Sequence, residues 1–138
     1  MTLQVDLVSP ENIVYSGEAT MVIARTVGGG EIAFMTGHIP FLGALDVCVV
    51  RVKLLDGSEA RFAVFGGFVE VSHDHVSILS DAAKSAEDID LVAAEAALAD
   101  ARQRAAADPD DEDAARAVAE AEVSVVAAEV QQHRHTTH

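Results

Sequence analysis

His73 and His75 stand two residues apart in "VEVSHDHVSILS". At that spacing on one strand, two imidazoles project from the same face and could chelate a metal ion. Upstream, "GGGEIAFMTGHIPFLGAL" embeds an acid, Glu31, the pair Gly37-His38 and Pro40 in an otherwise apolar run, a combination that folding alone does not require. Cys48 sits in "DVCVVRV" with no histidine near it in sequence. A nucleophilic thiol wants an electropositive, partly exposed setting, so core packing is expected instead. "GGG" before Glu31 lacks the Lys-Ser/Thr of a phosphate loop and leads into a strand, which makes it a turn. His133, His135 and His138 in the tail "QQHRHTTH" could take stray metal, but a polar terminus of this kind is expected to fray. No Ser-His-Asp spacing emerges, and the acids of "EDID" and "DPDDED" fall where helix starts favour negative charge. The expectation is no catalytic residue, no metal, and an interaction protein rather than an enzyme.

Two stretches of different grammar carry these residues. Before residue 85, short runs of Val, Ile, Phe and Leu alternate with polar residues or are broken by turns, as in "LQVDLVS", "NIVYSG", "ATMVIARTV", "EIAFM", "VCVVRVKLL", "EARFAVFG", "GFVEVS" and "HVSILS". "LDGSE" supplies Asp56-Gly57 for a hairpin turn. Many short strands at this spacing predict a small β-sandwich or barrel over residues 1–84. From 85 to 138 the sequence turns to alanine and acid. "SAED" predicts a helix capped by Ser85 and running to about Ala106; "DPDD" predicts a second, with Asp108 as N-cap and Pro109 at N1, reaching roughly Gln132. So short a gap makes the pair an antiparallel hairpin. The expected class is α+β, mainly β: a small N-terminal β-sandwich followed by a C-terminal antiparallel α-helical hairpin.

Leu91, Ala94, Leu98, Ala101 and Ala105 form one helical stripe, and Ala119, Val123, Val126 and Val130 are expected to face it. Alanine favours helix but buries little surface, so such a hairpin gains few kcal/mol from its own packing. It reads as a module able to detach or extend, or else as one docked on the sandwich. The charge of the chain, −14, repels nucleic acid and anionic bilayers. No apolar run approaches the length of a membrane span, and "MTLQVDLVSP" has no secretory signal pattern, so a cytoplasmic protein is expected, with no direct membrane insertion. A single cysteine suits a reducing compartment.

Two resemblances follow from the motifs. Gly67-x5-His73-x-His75 resembles the first half of the cupin metal motif, but Leu79 and Ser80 stand where that family wants glutamate, and the second half is missing. A small cupin-like metal-binding enzyme is thus one alternative, and a generic β-domain adaptor another. The fuller resemblance is to the epsilon subunits of bacterial F-type ATP synthases. It rests on Ser9, Pro10, Glu11, Tyr15, Ser16 and Gly17; then on "GEIAFMTGHIPFL" from Gly30 to Leu42; then on "GGFVEV" from Gly66 to Val71, followed by the hairpin.

That resemblance implies a non-catalytic central-stalk rotor subunit coupling proton-driven c-ring rotation to ATP synthesis. It is peripheral on the cytoplasmic face of the bacterial plasma membrane. Its partners would be the gamma subunit and c-ring, with the alpha/beta catalytic head added when the hairpin extends to restrain ATP hydrolysis. Glu31, Gly37, His38 and Pro40 would form the c-ring-facing loop; Gly66, Gly67 and Glu70 would serve sandwich packing and the gamma-facing surface. Ile89 and Asp90 match the start of the I/L-D-x-x-R-A signature of ATP-binding hairpins, but Ala93 replaces its arginine and removes a phosphate-pairing cation, so no cofactor is expected. From Glu87 onward, 13 acids face 4 bases, and Glu120, Glu122 and Glu129 occupy a helix that is basic in related subunits. The inhibition expected is weak or differently organised.

Overall fold

Alternation puts Leu3, Val5 and Leu7 of strand β1 (Leu3–Val8) at zero exposure while Gln4 and Asp6 face outward, the pattern of a strand with one buried face. The computed structural model describes residues 2–136, with side chains through Glu129. After β1 come β2 (Ile13–Ala19), β3 (Met21–Thr26), β4 (Gly30–Met35), β5 (His38–Lys53), β6 (Glu59–His73), β7 (His75–Ser80) and β8 (Ala83–Ser85). A 3-10 turn (Ala86–Asp88) then leads to helices α1 (Leu91–Ala107) and α2 (Glu112–Thr136). Hydrogen bonding links the strands in the order β2-β1-β7-β6-β5-β3-β4, with β8 added on β6.

Two strands are longer than their sequence signals. "EARFAVFG" and "GFVEVS" form one strand, β6, and β5 absorbs "HIPFLGAL", expected to be a loop. Glycines invite the error, because here they bend a strand instead of ending it. In β6 the core takes Phe62 and Val64, then Val69 and Val71; in β5 it takes Val52, Val50 and Cys48, then Leu45. Both strands change inward parity at the same level, where Asp46 and Gly66 lie between the paired Leu45–Gly67 and Val47–Phe65, and the register runs through unbroken. Gly66 and Gly67 take φ of 89° and 135°, and a Cβ on Gly67 would stand 2.2 Å from the Leu79 carbonyl oxygen. The β5–β6 pair therefore turns a corner and belongs to both layers. β1, β2, β7 and the Gly67-to-His73 half of β6 make the first layer; β3, β4, β8 and the Glu59-to-Phe65 half make the second. Leu3, Val5, Leu7, Val69, Val76 and Ile78 from the first meet Val22, Phe34, Val50, Val52, Phe62 and Val64 from the second in one core. The expected β-sandwich followed by a helical hairpin is what forms.

The helix starts move. Ser85 ends β8, paired with Phe62, and makes no side-chain cap; Asp90 caps α1, its Oδ1 accepting from the backbone N–H of Val92 at 3.0 Å and of Ala93 at 3.3 Å. The sheet holds the chain extended past the predicted cap. Asp108 closes α1 by donating its N–H to the Arg104 carbonyl, and Asp111 caps α2 through bonds from the N–H of Asp113 and Ala114. The stripe expected on α2 is also wrong. Val118, Ala121 and Val125 meet Leu91, Ala94 and Leu98 of α1, whereas Val123 and Ala127 meet Val49, Ala63 and Phe65 of the sandwich. Lying between α1 and the sheet, α2 needs two apolar faces, and Ala119-Val123-Val126 is the one turned to the sandwich. Of the expected stripe, Val130 falls outside the described side chains, as do His133, His135 and His138.

Candidate functional site

The two outer faces of the sandwich differ. On the first layer, cross-strand pairing aligns Ala44 with Phe68, Phe68 with Leu79, Leu79 with Val8, and Val8 with Ile13. Phe68 is 58% exposed, Leu79 59% and Ile13 68%. An apolar row thus crosses five strands, ~19 Å at the usual strand spacing, and none of the described residues covers it. Beside it runs a second row of Leu42, Glu70, Ser77, Asp6 and Ser16, mostly polar and locally knit together. Ser16 donates its hydroxyl to Asp6 Oδ1 at 2.7 Å, and His75 Nε2 lies 2.6 Å from Asp6 Oδ2. The Ser16 hydroxyl does most to hold the Asp6 carboxyl below its ordinary range; burial opposes it, and His75 and Gln4 add to it.

The outer face of the second layer is occupied. Val49, Ala63 and Phe65 lie under α2, and Ile89 packs into both this contact and the hairpin's own core. Around the contact, Arg25, Glu31, Arg51 and Arg61 line a cleft of about 430 Å³ with Ala119, Glu122 and Val126 of α2. Glu59 gathers Arg51 (2.9 Å), Lys53 (3.8 Å) and Arg61. Burial, the largest single influence, pushes the Glu59 carboxyl up, but the Arg51 hydrogen bond and the three cations together bring it below its ordinary value. Cys48 borders the same cleft at 6% exposure, and burial pushes its thiol up, away from the reactive thiolate.

One end of the sandwich holds three of the four residues expected in a single loop. Gly37, at φ 81°, completes the tight β4–β5 turn; His38 stacks edge-on against Phe34 at 5.2 Å, with its Nδ1 2.7 Å from the Ile39 carbonyl oxygen. Pro40 lies in a bulge, where the β5–β6 register shifts between His38 and Phe41 and no proline N–H is needed. Glu31 is elsewhere. It pairs with Arg25 near the opposite end of β4, ~13 Å of strand from Met35, and borders the hairpin cleft. The expected four-residue loop is thus two places, because "EIAFM" is a strand that spans the layer.

His73 and His75 do not share a strand face. The chain reverses between them: His73 sits at the β6–β7 turn with φ 54°, its Nε2 3.5 Å from Asp74 Oδ2, while His75 begins β7 and engages Asp6. Among the described residues no three His, Cys, Asp or Glu side chains converge as metal ligands, so the chelate reading is set aside. Gly66 and Gly67 form the corner, Glu70 is exposed on the open face, and Asp90 is engaged as a helix cap. Phe68, Leu79, Val8 and Ile13 were missed by sequence reasoning. Alternation with the buried Val69 and Val71 marks Phe68 as outward, but only once the buried side of β6 is known.

Residues 2–86 match the family model for the ATP synthase Delta/Epsilon chain, beta-sandwich domain. The chain is 44% identical over 102 residues to the ATP synthase epsilon chain of Brevibacillus brevis, covering 74% of this chain and 76% of that one. It is 43% identical over 96 residues to that of Streptomyces griseus (70% and 77%), and 44% identical over 103 residues to that of Bacillus subtilis (75% and 76%). In three dimensions it is similar to a chain of the Euglena gracilis mitochondrial ATP synthase, with a TM-score of 0.70 at 21% identity over 90% of this chain and 75% of that one. With a central-stalk/c-ring chain of the Tetrahymena thermophila enzyme, the TM-score is 0.53 at 14% identity, over 64% and 70%. A β-sandwich with a helical hairpin folded on one face, matched over most of its length by these relatives, belongs to the ATP synthase epsilon chain family.

Proposed function

We propose that this chain is the non-catalytic epsilon subunit of a proton-translocating F-type ATP synthase, and that its open sheet face grips the gamma subunit of the central stalk. The observation that carries the reading is the apolar row Phe68–Leu79–Val8–Ile13, in a family whose members serve ATP synthases. A row of this length, flanked by the polar row through Glu70 and Asp6, suits a protein partner with an apolar ridge and a polar rim. The end formed by Gly37, His38, Ile39 and Pro40 meets the c-ring, and Ile39 is its most exposed apolar side chain. Glu31 belongs to the hairpin cleft in this reading, not to the ring contact. The subunit works at the cytoplasmic face of the bacterial plasma membrane as a peripheral part of the complex; among the described residues no helix is long and apolar enough to span a bilayer.

The hairpin is a mobile brake in this reading. Released from the sandwich, it reaches the alpha/beta head, where the acids of α2 make its restraint of hydrolysis weak. It takes no ATP: Ala93 offers no cation to a phosphate, and Asp90 is committed to two backbone amides of α1. The test adds the full chain to a catalytic head lacking its epsilon subunit and follows binding and ATP hydrolysis together. Tight binding with little slowing of hydrolysis is expected. Failure of the full chain to bind overturns the assignment; strong inhibition overturns the weak brake alone.

A further inference from the structure

The contact between hairpin and sandwich is built mainly of small side chains. Its buried centre is Ala63, Ala86 and Ala127, with Val49, Phe65 and Val123 beside them. Alanine removes little surface from water, so polar contributions weigh more in where the hairpin sits. The charges around this centre are sorted. Of the five bases that precede Ala86, four (Arg25, Arg51, Lys53 and Arg61) lie on the outer face of the second layer, against Glu31 and Glu59. Glu122 of α2 lies across the cleft from three of them and is shared with Arg102 of α1 at 3.8 Å. About two turns away the signs reverse. Glu120 holds Arg116 by its Nε at 2.9 Å, and Arg116 donates from Nη2 to the Phe65 carbonyl oxygen at 3.4 Å, at the corner where Asp81 also borders Gly66.

We infer that Arg116, aimed by Glu120, and Glu122, facing the arginine cluster, form a polar clasp that makes hairpin docking sensitive to ionic strength. This deepens the mobile-hairpin reading and rests on it. Both modules are net acidic, which at very low salt opposes docking. At about 0.1 M salt, however, the Debye length of ~10 Å hides the acids of the open face and leaves the local, complementary charges in play. At about 1 M it falls to ~3 Å, and the clasp loses its long-range part. Each exposed pair contributes little by itself, but the apolar contact it assists is made largely of alanine. Salt acts here as a release signal.

Cys48 packs in the sandwich core with Val50 and Val52, so it is replaced (Cys48→Ser). The reporter thiol is placed by Ala127→Cys on the face of α2 that packs against Val49, Ala63 and Phe65, where position 127 is fully buried until α2 lifts away. The experiment measures the rate of modification of this thiol by a small reagent in the full-length Cys48→Ser, Ala127→Cys chain, between about 0.1 M and 1 M sodium chloride. Circular dichroism checks that the sheet stays folded. The reporter chain is expected to react about fivefold faster at the higher salt, and its Arg116→Gln and Glu122→Gln variants to react faster at the lower salt with a flattened salt response. If modification is rapid at both salts and neither variant changes it, the hairpin is mobile but the clasp is wrong. If modification is slow and salt-independent in all three proteins, at the rate of global unfolding, the hairpin does not lift, and the mobile-hairpin reading falls with the clasp.

Discussion

The two outer faces of this sandwich are built from the same strand alternation, yet one is closed by the chain itself and the other is left open. Beneath α2 the sheet presents Val49, Ala63 and Phe65, small enough in sum for an alanine-rich helix to cover. On the opposite side it presents Phe68, Leu79 and Ile13, larger and uncovered. A surface meant to let go of its occupant is small, mixed with charge and already filled. One meant to hold a partner through every turnover is broad and apolar. In the proposed reading, the difference separates an internal, reversible contact from a permanent external one within a single domain.

The harshest way to break this comparison is at the corner the faces share. Gly67→Ala sets a Cβ against the Leu79 carbonyl at an unfavourable φ, and a loss of about 3 kcal/mol in urea-unfolding stability is expected; an unchanged midpoint would mean that the corner is not constrained. Next comes the open face alone. Phe68→Asp should weaken binding to the gamma subunit about thirtyfold by titration calorimetry while leaving hairpin docking unaltered. Equal weakening from a substitution at Val123 would erase the distinction between the faces.

A smaller effect is expected on the covered side. Asp90→Ala removes the α1 cap and should cost the hairpin about 1 kcal/mol, read as faster amide exchange in α1, with no ATP binding detectable before or after the change. The smallest is a pH effect on Glu59. Its native carboxyl lies below the ordinary 4.5, so its contribution to stability is complete above that value and is lost as the pH falls through the lower native one. Glu59→Gln should flatten this acid-side slope in unfolding midpoints, and a slope that persists would place the titration on another carboxylate.

Much of this architecture was legible in the sequence where a signal was local. Strict alternation marked β1, Asp56-Gly57 marked a turn, and the change to alanine marked the hairpin. What was not legible depended on partners distant in the chain. Gly66-Gly67 looks the same in sequence whether it ends a strand or bends one, and the continuous pairing with β5 on both sides of it decides. Ser85 has the composition of a cap, but pairing with Phe62 holds it in the sheet. Helix α2 carries two apolar stripes, and periodicity ranks them without saying which faces a helix and which a sheet. Glu31 stood near Gly37 and His38 in a motif, yet the strand between them sets them at opposite ends. The open row was hardest to see, since it is drawn one residue at a time from five strands.

The bend at Gly66-Gly67 also has a mechanical meaning. Two sheets that meet only through side chains can slide over one another, since dispersion and burial resist separation far better than lateral displacement. Here two covalent strands, hydrogen-bonded to each other along their length, pass from one sheet into the other. Shear between the layers would have to stretch backbone or strip that ladder. A load taken on the open face therefore reaches the covered face without slip, and the footing of the hairpin moves as one piece with whatever grips the other side.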